Sequence, residues 1–166
     1  MDSNFTSKAL GTIGQDLDLR GLKTFSIKCE DGLFVVDAGY QSPPAFTPVT
    51  LHYCRKGIEQ LAGGAEERCD YLTATRKFIY LWEILSAIGA YVADKTGHLL
   101  TLSNIASTET TPVIDIEYMT IQGDRMVEHL TAADVYTLCI QSYKRRQRQA
   151  TNDIRFTRFS SLQEGM

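Results

Sequence analysis

Two kinds of side chain in this sequence could carry chemistry: a thiol beside an imidazole, and a run of guanidinium groups among phenylalanines. His52 and Cys54 stand two apart in VTLHYC, so on a strand they share a face. With a third ligand such as Cys29 they could hold zinc, but structural zinc sites bring ligands in tight pairs and no second pair is present. Same-face strand neighbours are near ~7 Å apart, too far for the imidazole to activate the thiol directly. Glu83 sits in the apolar run FIYLWEILSAIGAYVA and could act as an acid if buried. The spacing instead puts it on a polar stripe with Arg76, Tyr80, Ala87, Ala90 and Asp94, facing solvent. Phosphate-loop, dinucleotide, zinc-protease and serine-hydrolase motifs are all missing. The balance is against an enzyme, and neither a cofactor nor a metal is implied.

The second group is more distinctive. Lys144, Arg145, Arg146 and Arg148 close the last expected helix, and Arg155 and Arg158 follow, interleaved with Phe156 and Phe159. Guanidinium groups neutralise phosphates, and aromatic faces stack on unpaired bases. Residues 1–143 carry 11 basic and 18 acidic groups, whereas residues 144–158 carry six basic and one acidic. An acidic body with a basic end is the main charge asymmetry of a chain whose net charge is −3. Cations at a helix end also suit its dipole or the chain's own carboxylates. The leading expectation is a non-catalytic module that binds single-stranded nucleic acid through these eight residues.

The elements that must position these groups show a recurrence. HYCRKGIEQL at 52–61 and HLTAADVYTL at 129–138 share one strand-to-helix pattern, 77 positions apart. An ungapped shift by 77 aligns seven identities over residues 22–72, where chance gives about three. Leu22, Thr24 and Ser26 fall on Leu99, Thr101 and Ser103; Val36 falls on Val113, His52 on His129. KTFSIKC alternates as a half-buried strand, Asp31-Gly32 signals a hairpin, and LFVVDA continues it. QSPPAFTP, residues 41–48, reads as a proline-rich loop outside any ladder. VTLHY is a third strand, followed by a short helix from Arg55 to Leu61. HLLTLSN, VIDIEYMTI and RMVEHL repeat the order, with turns at STETT and Gln122-Gly123-Asp124. Thr131 and Asp134 are set as an N-cap pair for a helix from about 132 to 148.

The expected fold is therefore α+β: two pseudo-repeats of strand–strand–strand–helix, 21–64 and 98–149, with antiparallel sheet pairing. A long apolar central helix, 65–94, joins them. Residues 1–20 are left as an N-terminal arm and 151–166 as a C-terminal tail. Phe78, Trp82, Leu85, Ile88 and Val92 are the apolar face of the central helix, to be buried in a core or between two copies of a homodimer. Gly89 in its middle points to a close contact. The runner-up function is accordingly a protein-interaction or assembly module using that helix; the third is a small enzyme using His52, Cys54 or Glu83. The apolar run is 16 residues with a carboxylate inside it, short of the ~20 that span a bilayer, so no membrane is expected. Four widely spaced cysteines and no leader-like N-terminus fit reduced thiols in the cytoplasm.

Overall fold

A computed structural model of the chain describes residues 3–42, 45–63, 81–95, 97–105, 113–145 and 147–148. Its elements run α1 (Ser3–Arg20), β1 (Lys23–Glu30), β2 (Leu33–Ser42), β3 (Ala45–Tyr53), α2 (Arg55–Ala62), α3 (Leu81–Asp94), β4 (His98–Ser103), β5 (Val113–Met119), β6 (Arg125–Thr131) and a last helix, α4, over 132–145. The fold is α+β. Six strands form one antiparallel sheet in the order β3-β2-β1-β4-β5-β6.

Strand pleating sends alternate residues to opposite faces, and two neighbouring rungs show the result. Leu51, Val36, Ile27, Leu102, Ile116 and Glu128 lie side by side across all six strands. Four of these, Val36, Ile27, Leu102 and Ile116, are fully buried. The next rung is His52, Val35, Lys28, Thr101, Glu117 and Val127, a solvated face. The buried face carries α1 and α3. Tyr53 on β3 donates to Asp16 of α1 at 2.8 Å, and Tyr91 of α3 donates to Glu128 of β6 at 3.0 Å. The two helices thus stand over opposite halves of the sheet.

Residues 3–20, set aside by the sequence pattern as an arm, form α1. Ala9, Leu10, Ile13 and Leu17 of that helix are fully buried. Thr6, Thr12, Gln15 and Asp16 are buried too, which is why an apolar stripe failed to announce it. Its end is a left-handed cap: Gly21 has φ 67°, Leu22 N donates to Leu17 O and Gly21 N to Asp18 O, both at 3.1 Å.

The packing of α1 on α3 is unusually close because each helix presents a glycine. A Cβ on Gly14 would stand 2.5 Å from the Trp82 Cα, and one on Gly89 would stand 2.8 Å from the Ser7 Cα. Both clashes are with backbone, so neither helix could yield by turning a side chain. Trp82, Leu85, Ile88 and Val92 are buried inside the single chain. Phe78 and residues 65–77 of the expected central helix lie outside the described residues.

Three expectations need correction. Residues 41–42 and 45–48 are not a loop outside the ladder: they belong to β2 and β3, with Pro48 opposite Gly39. β3 is an edge strand, and an edge tolerates a residue without an N–H. Phe46 lies over Gly39, where a Cβ would meet its ring, and packs edge-on against Phe25 at 5.4 Å. Glu83 is not on an exposed stripe but 6 % exposed. Nor does an ungapped shift by 77 hold throughout. A bulge falls between Thr24 and Ser26 in β1 and between Leu99 and Thr101 in β4, an offset of 75. Asp37 opposite Ser26 matches Glu117 opposite Thr101, an offset of 80. The shift returns to 77 only at the junctions, where Cys54 and Thr131 cap α2 and α4.

The glycine contact gives a direct test. Gly14→Ala or Gly89→Ala should lower unfolding free energy by about 1–3 kcal/mol, since overpacking outweighs alanine's helix propensity. Gly11→Ala, whose Cβ would stand at an ordinary 3.5 Å from Ser86, should be neutral or stabilising by up to about 1 kcal/mol. Urea unfolding of the three variants checks the contrast.

Candidate functional site

The β6 end of the molecule is built from a turn, an edge strand and a half-covered helix. Gly123, at φ 87°, closes the β5–β6 turn, with Thr120 N donating to Asp124 O at 2.8 Å. β6 then pairs with β5 without a register break. Among the described residues its other edge has no strand beside it. Thr131 ends the strand and caps α4. Asp134 N donates to its Oγ1 at 3.2 Å, while Thr131 N donates back to Asp134 Oδ2 at 3.0 Å. The Thr131 amide, and the Thr131 hydroxyl donating to the same oxygen at 2.9 Å, hold the Asp134 carboxyl below its usual range. The expected capping box is present.

α4 buries Val135 and Cys139 against the core. At about 100° per residue, Arg145 projects to one flank of that stripe, and it reaches Asp94 at the end of α3 at 2.8 Å. Tyr136, Ile140 and Tyr143 project to the opposite flank, away from α3. They are 58 %, 37 % and 48 % exposed. Met126 and Val127 of β6 are 41 % and 56 % exposed, and Met119 and Ile121 beside the turn also face solvent. Of eleven large apolar side chains exposed among the described residues, seven lie in this one end.

The polar face of the sheet is internally satisfied. Asp37 accepts from Ser26 Oγ and Thr50 Oγ1, at 3.3 and 3.1 Å. Arg125 pairs with Glu117, holding that carboxyl below its usual range, and His129 pairs with Asp115. Asn104 also donates to Asp115, at 2.6 Å. These cross-strand bonds spend the charges of the face on each other.

The residues singled out by sequence are dispersed. His52 points from the open face, whereas Glu83 is buried in the helical layer on the other side of the sheet. Cys54 Sγ is occupied as a helix cap, accepting from Gly57 N at 3.4 Å. Cys54 and Cys29 line an open cleft of about 620 Å³ with Phe5, Asp31, Arg55 and His98. Among the described residues no group of His, Cys, Asp and Glu could hold a metal ion. Lys144, Arg145 and Arg148 are exposed at the end of α4, with Arg145 tied to Asp94. Arg146, Arg155, Phe156, Arg158 and Phe159 lie outside the described residues. Trp82, Leu85, Ile88 and Val92 are buried within their own chain.

Sequence reasoning missed Met126, Val127, Tyr136, Ile140 and Tyr143. A signal existed: in α4 a second apolar series at i, i+4 and i+7 runs beside Val135, Leu138 and Cys139. A helix apolar on two flanks has more to cover than one core. No helix among the described residues is long and apolar enough to cross a membrane. No family model, no curated protein and no solved structure matches this chain.

One titration in the helical layer is testable. The Asp18 carboxylate accepts from Trp82 N at 2.9 Å and Leu81 N at 3.3 Å, closing the start of α3. Burial nevertheless pushes it up to about 6, against those two donors and with Glu83 adding repulsion. Its folded value exceeds the unfolded 3.8, so its stabilising protonation is complete below about 4 and lost as pH rises through 6. Unfolding free energy should therefore fall from pH 4 to 6 by a component absent in Asp18→Asn, which keeps an acceptor oxygen. Parallel pH profiles for the two proteins would contradict this.

Proposed function

We propose that the protein is a non-catalytic protein-interaction module whose working surface is the β6–α4 end. The observation that carries this is the gathering of seven exposed apolar side chains around one unpaired strand edge. Exposed apolar side chains gathered at one place on a surface mark interaction sites. The assembly expectation is retained in kind, with its surface moved from the central helix to β6 and α4. Cys29 and Cys54, both thiols, suit the reducing cytoplasm.

A second reading, single-stranded nucleic acid, is favoured by the exposed cations Lys144, Arg145 and Arg148. Against it stand the Arg145–Asp94 pair and three carboxylates on the open face, Asp37, Asp115 and Glu117. We also read β1–β2–β3–α2 and β4–β5–β6–α4 as copies of one unit. The matching bulges, the matching caps and the antiparallel β1–β4 pair between the halves support that reading.

Two experiments separate these readings. A photo-crosslinking residue in place of Tyr136 should yield discrete protein adducts in cells, and the same residue in place of His52 should not. Equal yields at the two positions would contradict the interaction surface. If nucleic acid is the ligand instead, oligonucleotide affinity of the full chain should fall with salt at a log–log slope of roughly 0.7 per phosphate contact. Gln at 144, 145 and 148 together should then flatten that slope by about two; an unchanged slope removes the basic helix end from the account.

A further inference from the structure

We infer that the β6–α4 surface seats a second copy of this chain, related by a twofold axis through Val127. The inference rests on the interaction reading above and names its partner. A twofold interface uses the same patch on both copies, so every part of the patch must be centred on one axis. β6 and α4 meet that condition. From Thr131 back to Val127 is four strand residues, about 13 Å. From residue 132 on to Ile140 is eight helical residues, about 12 Å. α4 returns alongside β6, because Arg145 reaches Asp94 while Lys95, the next residue after Asp94, bonds Glu128 of β6 at 3.3 Å. Ile140, the middle of the exposed stripe, therefore stands level with Val127 of the exposed strand.

The charges on β6 and the level of α4 together select the register. In an antiparallel pair, opposed residues point to the same face, so a twofold axis normal to the sheet falls on a residue. An axis on Arg125 or Glu128 sets that charge against its own copy. An axis on Met126 sets Asp124 against Glu128. Like charges directly opposed are destabilising. An axis on Val127 sets valine against valine and Arg125 against His129 of the second copy. Of the registers left, this is the one that also brings Ile140 of α4 onto the axis. Met126 then meets the stem of Glu128, whose carboxylate is turned to Tyr91 and Lys95. Tyr136, Ile140 and Tyr143 meet their counterparts on the same axis. The opposite edge of the sheet does not compete. β3 carries Pro48 and lacks a full ladder of donors. Growth therefore stops at two copies, joined as one continuous twelve-stranded sheet.

Sedimentation of the purified full chain tests this. The native chain should be a dimer, and Val127→Lys and Ile140→Glu should each weaken it by at least about tenfold. Both side chains are exposed in the single chain, and unchanged near-UV circular dichroism would show that the variants fold. For the register, Val127→Cys in a Cys54→Ser background should form an intermolecular disulfide under mild oxidant, since its Cα meets its own copy within bridging distance. Ile121→Cys in that background should not. A chain monomeric at every concentration, or a dimer indifferent to both variants, overturns the inference. If the chain is monomeric yet the crosslinker at Tyr136 still captures another protein in cells, the partner is wrong and the interaction reading stands. If neither association is seen, both fall.

Discussion

Everything else in this molecule depends on how closely α1 and α3 approach. Gly14 and Gly89 let backbone touch backbone, with Trp82 against one helix and Ser7 against the other. Two helices drawn together this tightly form one lid over the apolar face of the sheet. Leu10, Ile13, Leu17, Leu85, Ile88 and Val92 then share a core with Ile27, Phe34, Val36, Leu102, Ile114 and Ile116. Burial at roughly 25 cal/mol per Å² makes that shared core the dominant stabilising term. The charged groups drawn into the lid are placed where a partner exists: Asp16 meets Tyr53 and Arg20, and Asp18 meets the first amides of α3.

A lid over one face leaves two surfaces for the chain to manage. The open face is quiet, because its carboxylates, Arg125, His129, Ser26 and Thr50 are bonded across strands. The β6 end is not. Among the described residues the lid ends at α3, α4 adds one more helix at the margin, and the far flank of α4 faces solvent beside the outer edge of β6. At the opposite margin Pro48 and the Phe46–Phe25 pair over Gly39 close the sheet off. The asymmetry between the two margins is what turns a structural remainder into a functional surface.

The strands were legible because local chemistry alone specifies them. Asp31 and Gly32 take φ of 49° and 81°, the turn that their residue types announce, and VIDIEYM alternates as its pleat requires. The capping box at Thr131 was equally local. α1 was not legible, since half of its buried residues are polar and their burial depends on partners far away in sequence, such as Tyr53 for Asp16. Glu83 misled in the same way: a carboxylate at helical spacing reads as solvated, and its burial is not a local property of the sequence. Pro48 misled in the other direction, because only the strand order shows that β3 is an edge. In α4 the basic residues 144–148 drew attention away from Tyr136, Ile140 and Tyr143, whose exposure is set by the sheet ending at β6.

Hydrogen exchange at the two margins of the sheet tests the central claim most directly. β3 and β6 are both edge strands, so in an isolated chain their outward amides exchange alike. The account predicts that amides of β6 around Val127 slow as protein concentration rises while those of β3 keep one rate. Equal, concentration-independent exchange at both edges would contradict it.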